Sequence, residues 1–168
     1  MLVDSGIPKD TNGVLGSIRE SVEALGVDFT TADEHSIDDS NNHSTLQPLF
    51  AANLRNKAIT RKAFALLNSE YQPEDLGLYL NDHQVNLLAL GVSHPKIDEY
   101  LLCGIQLGAL GGKINGSGAG GSFYFYAINE VKKIQKSMAD LGLRSWEVSI
   151  GEGVKVNEYF NANEATAL

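Results

Sequence analysis

Seven of the chain's 17 glycines fall between Gly108 and Gly121, and Gly116-Ser117-Gly118-Ala119-Gly120-Gly121 within that stretch satisfies G-x-G-x-x-G. Loops of this kind expose backbone N–H groups, and the chemistry they serve is the binding of phosphate or another anion. Each glycine gives up roughly 0.5–1 kcal/mol relative to alanine through backbone entropy, so the cluster calls for a reason. A dinucleotide fingerprint requires a helix to open at the glycines. Here Ser122 to Ile128 follows instead, a β-prone aromatic run. A Walker A loop fails because Ile114 follows Gly112-Lys113 where Ser or Thr is needed, and no nucleophile elbow exists because Asn115 lies two residues before Ser117. Spacing alone leaves two readings: a strand–loop–strand turn whose amides approach an anion or a neighbouring phosphate-binding loop, and a β-hairpin that is glycine-rich for steric reasons.

Other chemistry-bearing residues are sparse. His35 and His43 stand among acids, but they form no i, i+4 pair or compact ligand set, so the segment reads as solvated loop and not as a metal site. His83 and His94 lie near helix boundaries with no Ser or Cys nucleophile in a recognisable motif, and both read as structural. Cys103 is the only cysteine, which excludes an internal disulfide and a CxxC pair. It reads as a small buried hydrophobe, and the expected setting is a reducing cytoplasm.

The elements that must position the loop follow from periodicity and punctuation. Leu2 to Asp4 alternates and runs into a Gly and Pro turn, a short strand and a loop. Thr11 or Asn12 is the expected cap of a helix carrying Val14, Ile18, Val22 and Leu25 and stopping at Gly26. Residues 28–45 are polar and acidic and read as a flexible surface loop. Helical character resumes from Leu46 to Asn68, with Phe50, Leu54, Ala58, Ala65 and Leu66 near one stripe and Arg55, Lys57, Arg61 and Lys62 on a solvated face.

Pro73-Glu74-Asp75 opens a helix through Leu76, Leu80, Leu87 and Leu90 to Gly91, and Ser93-His94-Pro95 opens another through Ile97, Leu101 and Ile105 to Gly108. Beyond the glycines, Ser122 to Ile128 reads as a central strand. Asn129 is the expected cap of a helix with Val131, Ile134, Met138 and Leu141, ending at Gly142. Trp146, Val148 and Ile150 alternate against polar neighbours, which predicts a last strand over 144–150 with those three on a buried face; residues 157–168 read as a tail. Strands distant in sequence must pair, with helices covering one face, so the predicted class is α+β.

Composition narrows the functional classes. With 168 residues, 43% hydrophobic and 20% charged, the chain is read as one globular domain. Thirteen basic against 21 acidic residues leave a net charge of −8, which repels polyphosphate and argues against nucleic-acid binding. No run approaches the ~20 apolar residues of a membrane span, and Met1-Leu2-Val3-Asp4 meets an acid where a secretory leader carries bases.

Leu107 to Ser122, Leu-Gly-Ala-Leu-Gly-Gly-Lys-Ile-Asn-Gly-Ser-Gly-Ala-Gly-Gly-Ser, resembles the third signature of the GHMP kinases, approximately G-A-x-G-[AS]-K-L-[TS]-G-A-G-G-G-G-C. Leu87 to His94 is similar to that family's helix ending L-x-x-L-G-V-[SG]-H, and Val3 to Thr11 resembles a strand and turn ending P-[RK]-x-T. The closing Gly142 to Gly151 run with Gly153-Val154 also resembles the family. Mevalonate kinase-like members look nearest and galactokinase-like sugar kinases next. The resemblance covers residues 1–11 and about 76–156; Asn115 stands where the family usually has Thr or Ser, and Ala119 and Ser122 where Gly or Ala and Cys are common.

What the resemblance implies is a ferredoxin-like sandwich, the C-terminal domain of an enzyme that transfers the ATP γ-phosphoryl group to a substrate hydroxyl with Mg2+. Gly116, Ser117, Gly118, Ala119, Gly120 and Gly121 would form the wall that buttresses the phosphate loop, with Thr11, Lys113 and Asn115 toward the small-molecule substrate. The family's P-x-x-x-G-L-G-S-S phosphate loop, general base and supporting Lys come from an N-terminal half, and no such loop occurs in these 168 residues. The implied partner is therefore an N-terminal ATP-binding domain, in the same gene or a separate chain. No catalytic or metal-binding residue is assigned in this chain, which is expected to be inactive alone and to bind neither cofactor by itself. A severed half would also expose an apolar inter-domain face capable of self-association. The alternative of another class is a free-standing, non-catalytic module that binds a metabolite or partner.

Overall fold

A computed structural model describes residues 1–25 and 47–153. The expected stop at Gly26, the 28–45 loop with His35 and His43, the side chains of Val22, Leu25 and Phe50, and the 157–168 tail lie outside what it describes.

Nine elements follow in order: β1 (Leu2–Asp4), α1 (Thr11–Leu25), α2 (Gln47–Leu67), α3 (Pro73–Ala89), α4 (Pro95–Gln106), β2 (Gly111–Ile114), β3 (Ser122–Tyr126), α5 (Val131–Asp140) and β4 (Arg144–Trp146). The four strands form one antiparallel sheet in the order β2-β3-β1-β4. This is the predicted α+β class, with the strand order of a ferredoxin-like sandwich. The register places Val3 opposite Phe123 and Ile114 opposite Phe123, so one face carries Val3, Ile114, Phe123 and Phe125, all buried. Alternation puts Leu2, Lys113 and Tyr124 on the other face.

The buried face packs under α4 and α5, where Ile97, Leu101, Ile134 and Met138 complete the core. Phe123 and Phe125 meet edge to face at 5.5 Å, and Tyr100 stacks on Phe123 at 6.0 Å. Gly104 is required by this packing: a Cβ there would lie 2.1 Å from the Phe125 ring.

The glycine stops fall where the sequence places them. Gly91, Gly108 and Gly142 have positive φ just after α3, α4 and α5, and the following residues bond back to the helix ends, Val92 N to Leu87 O, Ala109 N to Gly104 O and Leu143 N to Met138 O. The helix starts differ in two places. Asp10, not Thr11 or Asn12, caps α1, its Oδ1 accepting from Gly13 N at 2.9 Å. Thr11 begins the helix, which frees its hydroxyl for another contact. Glu130, not Asn129, precedes α5, and no side chain caps that helix.

The last strand is shorter than predicted and turned over. It ends at Trp146, and Trp146, Val148 and Ile150 are 46%, 59% and 101% exposed. Ser145, opposite the buried Val3, is the residue that faces the core side. Alternation identified the strand but not which face was inside, because β4 is an edge strand of only three residues. Cys103 is half-buried against the core, with Sγ 3.7 Å from Ser137 Oγ, and is less enclosed than its residue type suggested.

Across the β1–β4 pair, Arg144 donates to Asp4 Oδ2 at 2.6 Å, and Gly6 N donates to Asp4 Oδ1 at 3.0 Å. The Gly6 N–H and then the guanidinium hold the Asp4 carboxyl below the usual carboxylate range. A group depressed in this way adds stability that is fully present above the unfolded value, near pH 4, and is lost as pH falls through the folded value. Acid unfolding followed by circular dichroism should therefore show Asp4→Asn losing stability less steeply than the parent below about pH 4. Parallel acid limbs would show that the pair contributes nothing.

Candidate functional site

The glycine loop is the tip of the β2–β3 hairpin, so the strand–loop–strand geometry is present, and it is tied down on both flanks. Asn115 N donates to Ser122 O at 3.0 Å and closes the hairpin. On one flank Ala119 N donates to Val92 O at 2.8 Å, at the turn that ends α3. On the other, Gly121 N donates to Ile7 O at 2.9 Å, and Gly121 O accepts from both the amide and the hydroxyl of Ser5.

Five residues of the loop, Gly116, Gly118, Ala119, Gly120 and Gly121, have positive φ. Ala119, at φ 53, takes the left-handed conformation without being glycine. Two glycines are compelled by close approach as well. A Cβ on Gly118 would stand 1.9 Å from Val92 O, and one on Gly120 would stand 2.5 Å from Pro8 O. The composition that looked like an entropic extravagance is what lets the hairpin tip pass between two stretches of backbone.

The freed Thr11 hydroxyl meets the loop: Thr11 Oγ1 and Ser117 Oγ are 3.0 Å apart. Lys9 extends along the same surface, its Nζ so near Gly116 that a Cβ there would come within 2.6 Å, and its Cδ lies beside Gly121. Two hydroxyls and one ammonium thus surround the hairpin tip at the N-terminal end of α1, a setting suited to an anion. Such an arrangement binds and positions. Among the described residues, the two nearest carboxylates along the chain are already engaged, Asp10 as the cap of α1 and Asp4 by Gly6 and Arg144.

Lys113 and Asn115 are placed differently. Asn115 is exposed, its Nδ2 3.3 Å from Ser122 Oγ. Lys113 lies on the outer face of β2, where it lines a cleft with residues of α2 and α3, and none of Gly116 to Gly121 or Thr11 lines that cleft. His83 also faces it. Burial, and then Lys113, pushes the His83 imidazole below its ordinary value.

Several supports had no signal of spacing. Asn81 Oδ1 accepts from Gly112 N at 3.0 Å while its Nδ2 donates to Leu110 O at 3.1 Å, and Gln84 Oε1 accepts from Ile114 N at 2.9 Å. One turn of α3 therefore closes the open edge of β2 with side-chain amides. Gly77 of the same helix allows the approach, because a Cβ there would meet Leu110 O at 2.5 Å. Lys9 did have a signal, the Pro8-Lys9-x-Thr11 turn, but a resemblance to a motif does not say which of its members reaches the glycines.

The fold and this loop point to one class: residues 63–143 match the family model "GHMP kinases C terminal". The relatives within the class are mevalonate kinases. The chain is 34% identical over 93 residues to mevalonate kinase of Pyrococcus furiosus, an alignment covering 55% of this chain and 28% of that one. It is 37% identical over 92 residues to that of Saccharolobus solfataricus, covering 55% and 26%. Its fold matches the crystal structure of L. major mevalonate kinase in complex with R-mevalonate with a TM-score of 0.57 at 20% identity, over 83% of this chain and 37% of that one. The chain thus matches under a third of the length of these curated relatives.

Proposed function

We propose that this chain supplies the C-terminal wall of the catalytic cleft of an ATP-dependent, mevalonate kinase-like enzyme, working with an ATP-binding domain that lies outside these 168 residues. The observation that carries the reading is the stapled hairpin tip, which lies among the residues matched by a kinase family model, with Lys9 and Thr11 from outside that match brought against it. Phosphoryl transfer depends mainly on positioning and on stabilising charge on the transferring group. A rigid loop whose backbone conformation is fixed by contacts on both sides suits the first task, and Lys9 with the two hydroxyls suits the binding of an anionic substrate.

ATP and Mg2+ belong to the proposed whole enzyme. Among the described residues no group of three or more His, Cys, Asp or Glu is placed to hold a metal ion, and no magnesium ligand is assigned to this chain. No described helix is long and apolar enough to cross a membrane; a cytoplasmic setting is part of the proposal. So is a covered face: the exposed Trp146, Val148 and Ile150 offer apolar surface on which the partner domain, or in its absence a second copy, would pack.

The test is ADP release with ATP and magnesium, using mevalonate and galactose as acceptors. The 168-residue chain alone should give none, and the chain joined to or mixed with a GHMP N-terminal domain should turn over mevalonate. Steady turnover by the chain alone, above a heat-killed control, would sink the half-enzyme reading. Preference for galactose would move the reading to a sugar kinase.

A further inference from the structure

A cleft of about 330 Å3 opens where α2 and α3 lean over the outer face of the sheet. Its α2 wall is mostly apolar, with Ile59 and, at the rim, Phe64, which is 71% exposed; the one hydroxyl there, Thr60, donates to Asn56 O within the helix. Leu80 and His83 of α3 form the facing wall, and Lys113 and Tyr124 form the floor. This volume is at the lower end of the ~300–1,000 Å3 typical of small-molecule sites, which suits a ligand of few heavy atoms.

The polar content of the cleft is one-sided. Among the described residues no Asp or Glu lines it, in a chain of net charge −8. Lys113 Nζ donates to Ile114 O at 2.8 Å and sits 5.4 Å from the centre of the Tyr124 ring, so one of its three donors is used and no carboxylate pairs with it among the described residues. Burial pushes the ammonium pKa down, the mark of a partly desolvated cation without an opposing acid. The other polar groups add no second charge near neutrality. The His83 imidazole is held below its ordinary value by burial and by Lys113, and the Tyr124 phenol is held above its own by burial. One cation, neutral hydrogen-bonding neighbours and a hydrocarbon wall match a singly charged amphiphile better than a dianionic phosphate.

We propose that this cleft is a second binding site, separate from the glycine loop, for a small aliphatic monocarboxylate, with its carboxylate on Lys113 and its hydrocarbon body against Ile59 and Phe64. The anion supplies the counter-charge that Lys113 lacks, and its chain covers apolar surface that α2 leaves open to water. Nothing in this depends on the kinase reading, because the loop residues and Thr11 are not part of the cleft.

Hexanoate and its neutral isostere hexanamide are the probes, titrated into the 168-residue chain labelled for NMR at isoleucine methyls and backbone amides. Hexanoate should shift the Ile59 methyl and the Lys113 and Tyr124 amides saturably, and hexanamide should bind at least tenfold more weakly. Lys113→Met should weaken hexanoate by a similar factor while Lys113→Arg retains it, both variants being checked by thermal melting. Equal binding of the two probes, an unmoved Ile59 methyl, or undiminished binding by a folded Lys113→Met would overturn the proposal. Shifts confined to Thr11, Ser117 and Gly118 would also overturn it, placing the anion on the loop and leaving the kinase reading intact.

Discussion

Gly118→Val should destabilise the chain by about 3 kcal/mol, the upper range for overpacking against groups that cannot relax. Two costs coincide at this position. The backbone lies at φ 84, which a β-branched residue adopts only under strain. The new Cβ would also stand 1.9 Å from Val92 O. That carbonyl cannot move aside freely, because it accepts the Ala119 amide, and the Val92 amide is itself bonded to Leu87 O at the end of α3. Relief therefore requires the loop to leave its seat.

Gly116→Ala is the informative control. Its φ of 74 carries a left-handed penalty of roughly 1–2 kcal/mol, but its Cβ would meet only the mobile end of the Lys9 side chain, which can swing away. Urea unfolding should rank Gly118→Val well below Gly116→Ala, with a fall in melting temperature of about 6–12 °C for the former. In a complete kinase carrying this chain, the proposed wall predicts that turnover collapses with Gly118→Val even under conditions where the protein stays folded. Equal stability of the two variants would mean that the tip is free to relax, and the steric account of the glycines would fail.

The same loop marks the boundary of what the sequence could reveal. A cluster of glycines announces that backbone must do something unusual, and the hairpin on either side follows from the β-prone Ser122 to Tyr126 run. Nothing local says what the backbone must avoid, since Val92 and Pro8 lie far away along the chain. The ends of α3, α4 and α5 were legible because each helix stops at a glycine of positive φ, at 91, 108 and 142. Their starts were less so. Asp10, Thr11 and Asn12 are all competent caps, and only the pull of Ser117 on the Thr11 hydroxyl distinguishes the outcome.

Trp146, Val148 and Ile150 show the opposite failure, a regular pattern read with the wrong sign. Period-two alternation gives two faces and labels the apolar one as buried. At a sheet edge the apolar side chain can instead face outward, as Trp146 does opposite Leu2, and Val148 and Ile150, beyond the end of β4, are exposed as well. Three exposed apolar side chains in and just after an edge strand are what the proposed inter-domain face would look like. Sedimentation at rising concentration tests this, with reversible self-association expected and a strict monomer counting against it.

Gln84→Leu is expected to match Gly118→Val in cost, about 3 kcal/mol, although no steric clash is involved. Gln84 is buried and saturated: Oε1 accepts from Ile114 N, while Nε2 donates at 2.9 Å to both Ser93 Oγ and Asp98 Oδ1. Leucine fills similar space and gains some apolar burial, but it leaves the amide of fully buried Ile114 without an acceptor and removes a donor from the Asp98 carboxylate. Each such loss costs roughly 1–3 kcal/mol, more where a charge is involved. Val85→Ala, one residue along α3 but 64% exposed, should change stability by under about 0.5 kcal/mol. A cycle with Asp98→Ala separates the two losses, because removing the carboxylate should make Gln84→Leu cheaper by about 1 kcal/mol. Amide exchange at Ile114 supplies a local readout: it should accelerate in Gln84→Leu at pH values where the fold is intact, and unchanged exchange with near-parental stability would remove Gln84 from this role. The position matters for function because Ile114 is the last residue of β2 before the glycine loop, and Val92, eight residues beyond Gln84, holds the loop's far side. α3 and the turn that ends it thus fix the hairpin at its base through a side chain and at its tip through a carbonyl. Part of the rigidity that a phosphoryl-transfer wall would need therefore comes from a helix that contributes none of Lys9, Thr11 and Ser117, the rest coming from Ser5 and Ile7 on the other flank.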